Sequence, residues 1–250
     1  MLAPKAPPTL GWLRARPVYG LIPLAAIGGL VLLLGNVEGG PGFMTDLAAV
    51  ATPVLATAGV FCLRIGWASL VAPVLYVVAW KADENSRWAQ GAADALIIMA
   101  CGTLAWLTGL IAPRRALVVG ILVATAVDVY QVLNEDVQPV SQALSAAQPA
   151  AGLPRLQEVV WGTASMGWGD VFLGALLGVV VASSPRVVLW TAAVGTFVLH
   201  LAWGFMFHVM DTLPGTVPVA AATLIALAVE RVRCRQNPRR LDDGHRPGRA

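Results

Sequence analysis

The chain has 250 residues, of which 57% are hydrophobic and only 12% are charged, and its mean hydropathy is +0.71. Soluble domains carry about 25% charged residues, so this composition leaves too few charges to cover a water-facing surface and excludes a soluble globular enzyme. The formal net charge is +3. Because the basic residues stand mainly beside apolar segments, they are interpreted as membrane orientation signals, and no nucleic-acid partner is expected.

Eight apolar segments are predicted to form membrane-spanning helices, because most have the roughly 17 to 25 residues that cross a bilayer. In chain order they cover residues 17–35, 47–63, 66–80, 92–112, 116–133, 164–183, 187–207 and 213–229. A break at residues 64–66 separates the second segment from the third, since one continuous helix would be about 50 Å long. The expected fold is therefore all-α, a polytopic bundle of about eight spans.

The distribution of Lys and Arg predicts the orientation of this bundle. With eight spans and a cytoplasmic N-terminus, most of the basic positions, including Arg114, Arg115 and Arg186, fall on the cytoplasmic side, while the mixed run 81–87 falls outside. Both termini are then cytoplasmic, and the protein is expected in the cell (inner) membrane. The predicted divisions are a cytoplasmic segment (1–16), helices 1–5 (17–133), an extracytoplasmic loop (134–163), helices 6–8 (164–230) and a basic cytoplasmic tail (231–250). A cleaved signal peptide is the alternative interpretation of the first apolar segment.

Two aspartates lie within predicted spans, where a carboxylate costs several kcal/mol and usually faces an interior cavity. Asp128 stands about five residues before the end of the fifth span, and Asp170 about six residues after the start of the sixth. Because one loop joins these spans, both aspartates are expected roughly 8 to 9 Å below the same membrane face. Two carboxyl groups held close together share a proton, so one can activate a water molecule while the other protonates a substrate carbonyl.

The alternative for these aspartates is structural. They can hydrogen-bond to neighbouring Ser, Thr or Tyr side chains, or carry protons in a transporter. Gly167 and Gly169 favour a substrate-processing site, because residues without side chains let another backbone or an extended substrate approach Asp170.

The segments around both aspartates resemble motifs of the presenilin and signal peptide peptidase family of intramembrane aspartyl proteases. Residues 167–170, Gly-Trp-Gly-Asp, match the family's G-x-G-D element. Residues 128–133 are similar to its first aspartate motif, with Val127 in place of the family's tyrosine. Residues 213–218 correspond to its proline-alanine-leucine motif at the start of the last helix, although here the segment reads Leu-Pro-Gly-Thr-Val-Pro.

This resemblance implies an aspartic-type intramembrane endopeptidase that hydrolyses peptide bonds of transmembrane segments. Asp128 and Asp170 would be the catalytic pair, and Pro214, Gly215 and Pro218 would join the two glycines in contacting substrate, with residues 214–218 pairing with the unwound substrate. No cofactor and no metal are expected. The predicted orientation is similar to that of signal peptide peptidases. The family usually has nine spans, so the eight spans of this chain would correspond to the last eight, and the family's first span would be missing.

Two other functions are also compatible with the sequence. A prepilin-type peptidase also carries a G-x-G-D element and cuts near the cytoplasmic face, so a cytoplasmic loop over 134–163 would favour it. A non-enzymatic carrier or scaffold would use the aspartates to move protons or to fix helix packing.

The remaining ionisable residues within or near the spans are interpreted as structural. His200 and His208 lie about two helical turns apart on the seventh span and lack further partners for a metal or haem, so polar packing is expected. Asp94 and Asp211 lie near outer helix ends, where solvated caps are expected.

Overall fold

The computed structural model describes residues 40–62, 70–83, 86–134, 146–147, 152–161, 164–208 and 213–236. The predicted first span, its signal-peptide alternative and most of the basic tail lie outside these residues. The described chain is predominantly helical, as predicted.

Seven α-helices occupy the described residues, and each corresponds to one predicted span from the second to the eighth. They are α1 (Gly40–Cys62), α2 (Val71–Lys81), α3 (Arg87–Ile111), α4 (Arg114–Leu133), α5 (Trp168–Val181), α6 (Arg186–Gly204), which continues into a 3-10 turn (Phe205–His208), and α7 (Val217–Gln236). Among them α3, α4 and α6 are long and apolar enough to cross a membrane, while α2 and α5 are apolar but shorter.

Helix boundaries follow from a few capping and proline residues. The Ser86 hydroxyl accepts the Ala89 N–H at 3.2 Å and thereby caps the start of α3. Pro113 disfavours helix in the residue before it, so it ends α3 and starts α4 at once. Pro185 stands in the same position before α6.

A two-stranded antiparallel sheet precedes α5 and corrects the predicted start of the sixth span. β1 (Glu158–Trp161) pairs with β2 (Ala164–Gly167). The helix predicted over 164–183 therefore begins only at Trp168, the loop predicted over 134–163 ends in a strand, and the fold is not purely α. The adjacent valines at 159–160 favour a strand, and the serine and glycine of β2 are weak helix formers, which explains the local preference.

α5 is shared by two apolar clusters. One cluster is formed chiefly by α4, α5, α6 and α7. The other joins α1, α2 and α3 to α5 and to Leu156, which precedes β1. Phe172 and Ala175 of α5 pack against both clusters. The helix that carries Asp170 in its first turn is thus held from two sides.

Small residues allow the helices to approach closely. Alanine makes up half of the buried apolar residues in the described part of the chain. A Cβ added to Gly59 of α1 would overlap the Thr103 side chain of α3, and one added to Gly109 of α3 would overlap Val179 of α5. This is the packing expected between membrane helices, where backbones approach through small side chains.

A polar network joins three segments at one end of the bundle. Arg114, the first residue of α4, donates to both carboxylate oxygens of Glu230 on α7. The Ser184 hydroxyl donates to Glu230 at 2.8 Å and accepts from Arg114 at 3.2 Å. The hydrogen bonds from Arg114 lower the pKa of Glu230 below its ordinary value of 4.5, although burial of the carboxyl group opposes the change. Asp128 lies about 21 Å further along α4.

Candidate functional site

The segment before α7 holds the carboxyl group of Asp128. Asp128 Oδ2 accepts a 2.6 Å hydrogen bond from the Thr216 hydroxyl and a 3.3 Å hydrogen bond from the Thr216 backbone N–H. Thr216 itself is only 5% exposed. Asp128, five residues before the end of α4, is therefore tied to a residue 88 positions later in the chain.

Asp170 packs against the residue immediately before Thr216. A Cβ placed on Gly215 would lie 2.7 Å from Asp170 Oδ2 and 2.8 Å from its Cγ. Real Cβ atoms do not approach other atoms so closely, so only glycine fits beside Asp170 in this arrangement. The Asp170 carboxylate also accepts the backbone N–H of Gly167, the N-cap residue of α5. Asp170 therefore reaches back from the third helical position to the cap, as the acidic residue of a capping box does.

The two aspartates converge on one short segment. Asp128 is bonded to Thr216 and Asp170 touches Gly215, and these two residues are consecutive. Standard covalent dimensions then keep the two carboxyl groups within about 10 Å of each other. They are close enough to interact electrostatically. The structure thus brings together both predicted catalytic residues and the predicted glycine of the 213–218 segment.

The predicted depths of the aspartates need one correction. The predicted span puts Asp170 about six residues into a helix, whereas it is the third residue of α5 because β2 replaces the first turn of that span. The contact with Gly215 instead fixes the position of Asp170 along the bundle. Gly215 directly precedes Thr216, which bonds to Asp128, so both aspartates lie at the same level.

Contacts with α3 and within α5 position the first turn of α5. The Cys101 thiol on α3 donates to the Trp168 carbonyl, with sulfur and oxygen 3.7 Å apart. The Trp168 ring stacks on Phe172 with ring centroids 5.8 Å apart. Asp170 lies between these two aromatic residues in sequence, so the start of the helix that presents it is anchored.

Thr125 and Trp203 also belong to the site, and sequence reasoning missed both. The Thr125 hydroxyl donates to the Thr216 carbonyl at 3.4 Å, and the Trp203 indole N–H donates to the Pro214 carbonyl at 3.1 Å. Thr125 stands three residues before Asp128, a spacing that puts both side chains on one face of a helix. The spacing from Asp128 could have indicated that Thr125 belongs to the site, whereas no feature of the sequence indicates the contact of Trp203.

The predicted substrate-binding residues fall into two groups. Gly167 and Gly169 are exposed, and a Cβ on Gly169 would meet no atom within 4 Å. Pro214 and Pro218 are buried, and the Pro214 carbonyl already accepts from Trp203. Gly169 therefore borders open space one residue before Asp170, Gly167 contacts the Asp170 carboxyl group, where an added Cβ would lie 3.5 Å from Oδ2, and the prolines are part of the packed bundle.

The strand pair has one covered edge and one exposed strand. On β1, the Val160 N–H donates to Asp94 Oδ1 of α3 at 3.0 Å. On β2, Ser165, Met166 and Gly167 are all exposed. Asp94 is half-buried and serves to attach β1 to α3, which corrects its interpretation as a solvated cap. Asp211 lies outside the described residues.

No group of three or more His, Cys, Asp or Glu side chains that could hold a metal ion occurs within the described ranges. His200 Nδ1 lies 2.9 Å from the Thr196 carbonyl of its own helix, which is polar packing as expected. The side chain of His208 is not among those described. The polar groups that meet at residues 214–216 are carboxylates, hydroxyls and backbone groups, which can bind water and a peptide and can transfer protons.

Comparison with known proteins returns no relative of this chain. No protein-family model, no curated protein and no solved structure matches it. The resemblance to the presenilin and signal peptide peptidase family therefore stays a prediction from residues 126–133, 167–174 and 213–218.

Proposed function

We propose that the chain is an intramembrane aspartyl protease that hydrolyses peptide bonds of transmembrane segments with Asp128 and Asp170. The observation that carries the proposal is the convergence of both carboxyl groups on the consecutive residues Gly215 and Thr216. A structural hydrogen bond to a threonine would be enough to explain an aspartate at position 128, and helix capping would be enough to explain one at position 170. Neither structural role accounts for two carboxylates from different helices meeting at one segment, where like charges repel each other.

The proposed chemistry uses one proton shared by the pair. The ionised carboxylate takes a proton from a water molecule as the water oxygen attacks the scissile carbonyl carbon, and the protonated carboxyl gives its proton to the carbonyl oxygen. The resulting tetrahedral diol then collapses. One hydroxyl loses its proton to the pair, the C–N bond breaks, and the amide nitrogen receives a proton from the pair. Asp128 and Asp170 end in their starting protonation state.

The open space beside Gly169 supports access of a peptide to Asp170. A peptide must be extended for its amide to be attacked, and the exposed strand β2 leads directly into α5, so it can pair with such a peptide by strand addition. Residues 214–218 are less suited to this pairing. The Pro214 carbonyl and the N–H and carbonyl of Thr216 are already engaged within the bundle.

The proposal includes the membrane arrangement. Eight spans with both termini cytoplasmic put the aspartates toward the extracytoplasmic face of the inner membrane and the Arg114 network toward the cytoplasm. The exposed apolar side chains of α6, among them Trp190, Phe197 and Leu201, support a lipid-facing surface. Reporter fusions within residues 134–150 and after residue 236 test this arrangement. A cytoplasmic loop would favour the prepilin-type peptidase instead.

The decisive experiment is cleavage of a model transmembrane substrate by the purified full chain in lipid vesicles. We expect cleavage by the wild type and by the control Asp46→Asn, which removes a carboxylate from α1, and none by Asp128→Asn or Asp170→Asn. Cleavage that persists in either active-site variant refutes the protease. Proton flux across the vesicles without any cleavage would favour a carrier.

A further inference from the structure

Thr216 makes three polar contacts with one face of α4. Its hydroxyl and its backbone N–H both donate to Asp128 Oδ2, and its carbonyl accepts from the Thr125 hydroxyl. Thr125 and Asp128 are three residues apart, so the same helical face supplies one donor and one acceptor. Thr216 is thereby held through its hydroxyl, its backbone N–H and its carbonyl.

These contacts restrict the Asp128 carboxyl group. Two donors on Oδ2 fix the rotation of the carboxyl plane, since turning it would break a 2.6 Å hydrogen bond to a carboxylate, which is among the stronger kinds. Thr216 is almost fully buried, so water cannot readily replace its hydroxyl. The second oxygen, Oδ1, is then the one available to a water molecule.

We propose that Thr216 is the positioning residue of the site, orienting Asp128 so that Oδ1 receives the proton of the attacking water. This inference rests on the proposed protease function and extends it to a third side chain. Trp203 supports the arrangement from α6, because its indole N–H holds the Pro214 carbonyl two residues before Thr216. The turn before α7 is thus held by α4 on one side and by α6 on the other.

The test compares three variants at position 216 in the full chain with a model transmembrane substrate. Thr216→Val keeps the size of the side chain but removes the hydroxyl, and Thr216→Ala removes it without adding a methyl group. Thr216→Ser keeps the hydroxyl. Loss of a hydrogen bond to a charged group predicts that Val and Ala lower kcat by about tenfold to a hundredfold. We expect KM to stay within about twofold, because Thr216 does not contact substrate, and Ser to recover most of kcat.

Thr223→Val is the matched control. Thr223 is a buried threonine on α7 whose hydroxyl donates only to its own helix, at the Val219 carbonyl. It should keep wild-type kcat. Variants are compared only where the thermal unfolding midpoint is within a few degrees of the wild type, and Ala serves if Val does not fold.

Each outcome has a defined meaning. Wild-type kcat in a folded Thr216→Val or Thr216→Ala variant overturns the positioning role, as does a Ser variant as slow as Val. If the aspartate variants are inactive while the Thr216 variants are fast, only this inference fails. If the wild type does not cleave, or Asp170→Asn does, the protease proposal fails and the role of Thr216 fails with it.

Discussion

Gly215→Ala tests the contact that brings the two aspartates together. The added Cβ would lie 2.7 Å from Asp170 Oδ2, 2.8 Å from Cγ and 3.1 Å from Oδ1. An ordinary contact between such atoms is about 3.5 Å, so the carboxyl group must move away by roughly 0.5 to 1 Å. Asp170 has a short side chain on the first turn of α5, and the backbone there is anchored by Cys101. The carboxyl group itself is therefore the part that moves.

The expected consequence is a loss of catalysis greater than the loss of stability. A misplacement of about 1 Å can cost about a hundredfold in rate when reacting groups must be aligned. We expect Gly215→Ala to lower kcat for a model transmembrane substrate by about tenfold to a hundredfold. The unfolding midpoint should fall by only a few degrees, because rotation of one side chain relieves the overlap.

Gly178→Ala is the control for this prediction. It adds the same methyl group on α5, two turns beyond Asp170, where a Cβ meets no atom within 4 Å. It should cleave at the wild-type rate and be at least as stable, because alanine favours helix over glycine. Wild-type kcat in Gly215→Ala would refute the contact between Gly215 and Asp170, and an equal loss in Gly178→Ala would show that the effect is not local.

Three further predictions follow from other contacts. Gly169→Leu fills the open space at the residue before Asp170, so KM should rise several-fold without a fall in the unfolding midpoint, and an unchanged KM would contradict substrate access there. Glu230→Gln should lower the unfolding midpoint at neutral pH, because it breaks the pair with Arg114. Since the pKa of Glu230 is lowered on folding, its contribution is complete above pH 4.5 and is lost as pH falls through the lowered value, so wild type and variant should converge only in acid. Gly59→Ala should destabilise the bundle by separating α1 from α3 at Thr103, whereas Gly42→Ala, which meets nothing within 4 Å, should not.

Much of the helical layout could be predicted from hydropathy. Seven predicted spans have matching helices, and α3, α4 and α6 among them are long and apolar enough to cross a membrane. Boundaries were less predictable. The sixth span starts four residues late, at Trp168, because pairing with β1 outweighs the local apolar pattern of residues 164–167. The eighth likewise starts at Val217 instead of 213, since Pro214 and Gly215 precede the first helical turn.

In the candidate site, too, some residues could be predicted from the sequence, whereas their contacts could not. Scarcity of charge in the spans selected Asp128 and Asp170, since a carboxylate at membrane depth is costly and therefore rare. The contacts of Pro214, which is bonded to Trp203, could not be predicted, because its motif suggested a surface for substrate. The sequence predicts a solvated Asp94, because nothing in the pattern of residues 158–161 indicates that the backbone there bonds to Asp94.

The sequence by itself therefore determined a charge-poor helical chain with membrane-length segments and two aspartates on successive predicted spans. Only the tertiary structure decided that Asp128 meets Thr216, that Asp170 meets Gly215, and that these neighbours form one site. The physical reason is the distance along the chain over which each kind of interaction acts. Hydropathy and capping act over a few residues along the chain, whereas the turn before α7 reaches Asp128 across 88 positions and depends on how α4, α5 and α7 pack.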